Sequence, residues 1–99
     1  MTRTAAAVAA LLLAAIPCAA SGDEDEAAAK KLADTAYDLA KAGRWDDAID
    51  LYLKAHELSP KPAFLYNVAR CHEKKGDAAA ARDGYVRFLD SGGAADLRG

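Results

Sequence analysis

Ninety-nine residues with 28% charged side chains and a formal net charge of −2 allow one small domain at most. Lysine and arginine total 13 against 15 aspartates and glutamates. No basic stripe with interleaved aromatics appears, so composition gives no ground for a nucleic-acid partner.

The N-terminus reads first. Arg3 is the only charge before Asp23, residues 5–16 are unbroken apolar, and Pro17 ends them. The small residues Cys18-Ala19-Ala20-Ser21-Gly22 then give way to Asp23-Glu24-Asp25-Glu26. A basic start, a short apolar core and a small-residue exit make the three-part pattern of a secretory signal. We place the signal at residues 1–20, with cleavage after Ala20, and an acidic leader at residues 21–28. Three other readings compete. An uncleaved membrane anchor wants about 20 apolar residues, more than this stretch offers. A lipoprotein wants a small residue before the modified cysteine, where Pro17 stands. The last is a merely buried alanine-rich helix. The cleaved signal implies export, to the periplasm or beyond, with no membrane span left in the mature chain. If Cys18 leaves with the signal, Cys71 is alone and reads as a buried thiol or an intermolecular bridge, burial fitting its helical apolar setting better.

Four helices follow in order. Over residues 27–42, Leu32, Ala36, Leu39 and Ala40 fall on one helical stripe. The carboxylates ahead of it suit the positive end of the helix dipole. Consecutive carboxylates there point in different directions, which argues against a metal cluster. Gly43 stops the helix. Residues 45–58 form the second, with Trp45, Ala48, Ile49, Tyr52, Ala55 and His56 inward. Ser59-Pro60-Lys61-Pro62 breaks the chain, since neither proline continues a helix interior. Residues 63–75 form the third, with Leu65, Val68, Ala69 and His72 inward. Gly76-Asp77 makes the next turn. Residues 78–89 form the fourth, with Ala81, Tyr85, Phe88 and Leu89 inward, and Ser91-Gly92-Gly93 ends it. No stretch alternates with period two, so no strands are expected. Turns of one or two residues make neighbouring helices antiparallel hairpins. Ala36 is expected to face Ala48, and Ala69 to face Ala81, letting the helix backbones approach closely.

The chain also repeats itself. Leu32, Ala36, Gly43, Ala48 and Tyr52 recur 33 positions later as Leu65, Ala69, Gly76, Ala81 and Tyr85. A fixed period of this length marks stacked helical repeats. The copies, LADTAYDLAKAGRWDDAIDLYLKAHELSP and LYNVARCHEKKGDAAAARDGYVRFLD, resemble the tetratricopeptide repeat. That pattern has a large residue, a small one four on, a turn glycine, a small residue in the second helix, an aromatic four later and an exit proline. The first copy matches at Leu32, Ala36, Leu39, Gly43, Trp45, Ala48, Tyr52, Ala55 and Pro60. The second matches at Leu65, Tyr66, Asn67, Val68, Ala69, Gly76, Asp77, Ala81 and Tyr85. The period is 33 rather than 34, His72 and Phe88 depart from the pattern, and Asp90 stands near the place of an exit proline.

The resemblance implies an all-α fold of two antiparallel hairpins stacked as a short α-solenoid. Its units are residues 29–61 and 62–93, with a tail at 94–99. It also implies protein binding, through a concave groove lined by the first helix of each hairpin. By position the groove presents Lys30, Ala33, Tyr37 and Lys41, then Tyr66, Asn67, Arg70 and Lys74. Of these, Lys30, Tyr37, Tyr66, Asn67, Arg70 and Lys74 are the candidate contacts. Arg70 and the lysines suit carboxylates, and Asn67 suits a peptide backbone. One subclass grips C-terminal carboxylates with a lysine and an asparagine of the first repeat; Ala33 and Tyr37 stand there instead, so that specialisation is not implied.

No enzyme, metal or cofactor is expected. His56 and His72 are distant in sequence and read as core histidines. Cys71 and His72 diverge on their helix, and no phosphate loop or zinc spacing is present. About three repeats are usually needed for stability. The last helix is therefore expected to leave Tyr85, Phe88 and Leu89 uncovered, open to a partner or a second copy. Two function classes remain: an exported interaction module, and a self-associating structural subunit. A piece of a longer repeat protein is a further alternative, with Ala94-Ala95-Asp96-Leu97 beginning a third repeat.

Overall fold

Alanine, leucine, lysine and acidic residues dominate residues 23–41, and no proline or glycine interrupts them. A computed structural model describes residues 22–95, and the proposed signal at 1–20 lies outside the described residues. Within them, α1 spans Gly22–Lys41, α2 Trp45–Leu58, α3 Pro62–Lys74 and α4 Ala78–Phe88. A five-residue turn of π type, Leu89–Gly93, closes the fourth helix. The described residues contain no strand. Helix α1 begins ahead of the expected residue 27 because Asp23, Glu24 and Asp25 occupy its first turn, where the helix dipole favours carboxylates.

The two hairpins turn in the same way. After α1, Gly43 takes φ 80°, its N–H donates to the Ala40 carbonyl at 2.9 Å, and the Arg44 N–H donates to the Leu39 carbonyl at 2.9 Å. After α3, Gly76 takes φ 93°, its N–H donates to the Glu73 carbonyl at 3.0 Å, and the Asp77 N–H donates to the His72 carbonyl at 2.9 Å. Each is a Schellman ending, which needs a left-handed residue and so selects glycine. Three residues rather than one or two separate the helices, because the flanking residues are spent on these bonds. Between the hairpins, Ser59 is extended and Pro62 opens α3, where a missing N–H costs nothing.

Successive helices pack on one another, α1 on α2, α2 on α3 and α3 on α4, giving an all-α stack of two hairpins. Ala36, Ala48, Ile49 and Tyr52 of the first hairpin form one buried cluster with Val68 and Cys71 of α3. The small residues Ala36, Ala48, Ala69 and Ala81 are all buried, as expected. The helices of the second hairpin approach closely at Gly84, where a Cβ would fall 2.9 Å from the Ala69 Cβ and 3.1 Å from its Cα. That glycine carries no signal in the repeat pattern.

The end of the stack differs from expectation. Phe88 is not left bare: it is 5% exposed, under the terminal turn. A Cβ on Gly93 would sit 2.5 Å from the Phe88 ring, so only glycine lets the turn close there. The Ser91 hydroxyl donates to the Phe88 carbonyl at 2.9 Å and holds that turn. Leu89 does not face inward but is 50% exposed, because the π turn rotates it off the buried face; Val86 beside it is equally exposed. Tyr85 is half-buried. No helix among the described residues is long and apolar enough to cross a membrane.

A groove between the first helices of the two hairpins

On α3, residues 67, 70 and 74 are spaced three and four apart and share one face. The stack turns this face toward α1. There, Asn67, Arg70 and Lys74 meet Tyr37 and Ala40 of α1 across a floor of Trp45, Tyr52 and Cys71. The cleft encloses about 170 Å³, less than the ~300–1,000 Å³ that holds a small molecule. It has room for a side chain, not for a cofactor.

Four of the six sequence-predicted residues, Tyr37, Asn67, Arg70 and Lys74, thus line one groove. Lys30 does not join them. It lies in a separate depression near Ser59 and Phe64, and its ammonium pairs with Asp34 at 3.3 Å, one turn along α1. Tyr66 leans the other way, onto α4, with ring centroids 5.7 Å from Tyr85 and 5.2 Å from Phe88. Arg70 bridges the two regions, its guanidinium 5.9 Å from the Tyr66 ring centroid. Tyr37 is 57% exposed and carries the Lys41 ammonium 4.7 Å from its ring centroid.

The Tyr66 hydroxyl and, less strongly, Glu73 raise the Arg70 pKa, and Glu73 lines a shallow depression with Arg70 and Lys74. Lys41 pairs with Asp38 at 3.7 Å, whereas Arg70 and Lys74 form no ion pair with any described residue. The carboxylate of Glu73, on the same helix, accepts the Tyr85 hydroxyl at 2.7 Å. That desolvated phenol, further held by Glu73, has its pKa pushed up to about 12.

Tyr52 is the residue that sequence reasoning read only as core. It is 4% exposed, lines the cleft, and its hydroxyl makes no hydrogen bond to a described residue. Burial, then the neighbouring Cys71, Tyr37 and Asp34, raises its pKa to about 12. Cys71 itself is a buried free thiol whose pKa burial raises, the opposite of an activated nucleophile. His56 and His72 are half-buried, and the His72 Nδ1 is enclosed without a partner. Among the described residues no three metal-ligating side chains converge.

Fold and groove together define an all-α stack of two helical hairpins carrying a basic, aromatic cleft between its first and third helices. No family model, curated protein or solved structure matches the chain.

Proposed function

We propose that the chain is an exported protein-interaction module of tetratricopeptide type, receiving a partner protein or peptide in the groove between α1 and α3. The observation that carries this reading is the convergence of Asn67, Arg70 and Lys74 with exposed Tyr37 over a largely aromatic floor. Exposed aromatics and arginine are the side chains that dominate binding energy at protein interfaces. The 33-residue repeat supports the family assignment, and the three-part N-terminal pattern supports export.

Selection of peptides from a random display library against the purified protein tests the reading. Selected peptides are expected to bind at least about tenfold more weakly to an Arg70→Glu, Lys74→Glu double variant, the loss of one charge-assisted contact. Equal binding to both proteins, or no selected peptide, overturns it. The half-exposed Val86 and Leu89 on α4 favour a second reading, a self-associating structural subunit. A molecular mass by light scattering that rises with concentration supports that one.

A further inference from the structure

Of the four large apolar residues exposed among the described residues, Tyr37 belongs to the groove and Leu58 to the end of α2. The other two, Val86 and Leu89, are neighbours on the outer side of α4. With Ala78, Arg82 and Tyr85 they line one open depression, and spacings of three and four put them on a single helix face. Glu73 stands at its edge, with its carboxylate taken by the Tyr85 hydroxyl at 2.7 Å. Charge is arranged symmetrically about this strip. Exposed Arg82 stands four residues before Val86, and exposed Asp90 four residues after it. On a helix each is about 6 Å from Val86 along the axis. The π turn beginning at Leu89 has more residues per turn, which keeps Asp90 close to the line through Arg82 and Val86. Neither Arg82 nor Asp90 forms an ion pair with a described residue.

We infer that the outer face of α4 binds a second copy of this chain, α4 against α4 and antiparallel, with the two-fold axis at Val86. The inference rests on the self-association reading and gives it a surface and a symmetry; it is independent of what the groove binds. Its first argument is charge complementarity. Antiparallel about Val86, Arg82 of each copy falls opposite Asp90 of the other, giving two equivalent ion pairs around an apolar centre. A parallel pairing would set Arg82 against Arg82 and Asp90 against Asp90, which repel. The second argument is what else this face could meet. Head-to-tail stacking would lay it on α1 of the next copy. The exposed side of α1 carries Lys31, Asp34, Asp38 and Lys41, and offers Val86 and Leu89 no apolar surface. The third is shape: exposed Ala78 and Ala79 are small and let two helices approach closely beside Arg82. With 11 residues, α4 is about 16 Å long, so the interface is small and the dimer is a weak, exchanging one.

Sedimentation equilibrium of the purified protein, over about a hundredfold range of concentration, tests the inference. The mass is expected to rise and level off at twice that of the monomer. Val86→Glu sets two carboxylates together on the axis and is expected to hold the protein monomeric. Arg82→Asp and Asp90→Arg are each expected to weaken the dimer at least about tenfold, because both ion pairs become repulsions. The double variant Arg82→Asp, Asp90→Arg restores opposite charges and is expected to recover the parent's dimerisation. All three positions are exposed, so the circular-dichroism spectra should not change. A monomer at every concentration overturns the inference and the self-association reading together. A rise that survives Val86→Glu, or that continues past the dimer, overturns this face and leaves self-association standing. Single charge reversals without effect, or without recovery in the double variant, overturn the antiparallel pairing.

Discussion

The two hairpins share a turn and differ in how they are covered. Gly43 and Gly76 adopt nearly the same left-handed conformation, with the same pair of closing hydrogen bonds. Thirty-three residues after Ala55, however, stands Phe88. Ala55 is fully buried, in the hairpin whose second helix has α3 packed on it. Phe88 is also buried, although no further hairpin follows α4 among the described residues. Its cover comes from the Leu89–Gly93 turn, with Tyr66 at 5.2 Å on its other side. Where a neighbour supplies the cover, a small residue suffices. Where none follows, a large side chain and a glycine turn supply it from within.

The strongest way to break that comparison is Phe88→Ala. Removing a buried phenylalanine should cost about 3–5 kcal/mol, from lost burial and from the cavity left beneath the terminal turn. Urea unfolding of parent and variant measures it. A loss below about 1 kcal/mol would mean the turn collapses freely onto α4, and that Phe88 does not hold the end of the stack.

A smaller effect separates the starts of the two second helices. Arg44 and Asp77 precede α2 and α4 with nearly the same backbone, φ −91° and ψ 72° against φ −95° and ψ 82°. Only Asp77 caps: its carboxylate accepts the Ala80 N–H at 3.1 Å. Arg44 instead reaches Asp47 in an exposed ion pair. Asp77→Ala should therefore cost about 1 kcal/mol, and Arg44→Ser should gain a similar amount, because the backbone already stands ready for a cap. Thermal unfolding reads both. A neutral or destabilised Arg44→Ser variant would show that the Arg44–Asp47 pair serves the first hairpin as well as a cap serves the second.

How far the molecule was legible in its sequence follows the same division between local and tertiary causes. The bounds of α2, the glycine turns and the buried alanines were readable, because each is set by local spacing and backbone conformation. The acidic run at Asp23–Glu26 reads correctly as suited to the start of a helix, but α1 takes it in as its own first turn, five residues ahead of the expected residue 27. Gly84 and the π turn were not readable, since their reason is what packs against them, Ala69 and Phe88. In the groove, Asn67, Arg70 and Lys74 share a helix face and could be placed by spacing alone. Lys30 and Tyr66 were lost to partners on the protein itself, Asp34 for one and the aromatic pair of α4 for the other. Tyr52 reads from its spacing as an inward residue of the second helix, correctly for its ring. The position of its hydroxyl depends on how α1, α2 and α3 meet, which no pattern of spacing records.

The smallest expected effect sharpens the comparison through pH. At the start of the first hairpin, Glu26 pairs with Lys61 at 2.6 Å; that hydrogen bond, with the lysine's charge, holds the Glu26 pKa below its ordinary 4.5. Such a group contributes stability that is present above its unfolded pKa and is lost as pH falls through the lower folded one. In the second hairpin, desolvation and the bond to Glu73 raise Tyr85 from 10.0 to about 12. Its contribution is full below 10.0 and is lost as pH rises through about 12. The two hairpins should therefore loosen at opposite ends of the scale. Urea unfolding at fixed pH should show Glu26→Gln converging with the parent in acid, while Tyr85→Phe stays distinct there and converges only in strong base. If the two variants instead track each other across the scale, both contacts report one global change in charge, and the hairpins are not separately tied.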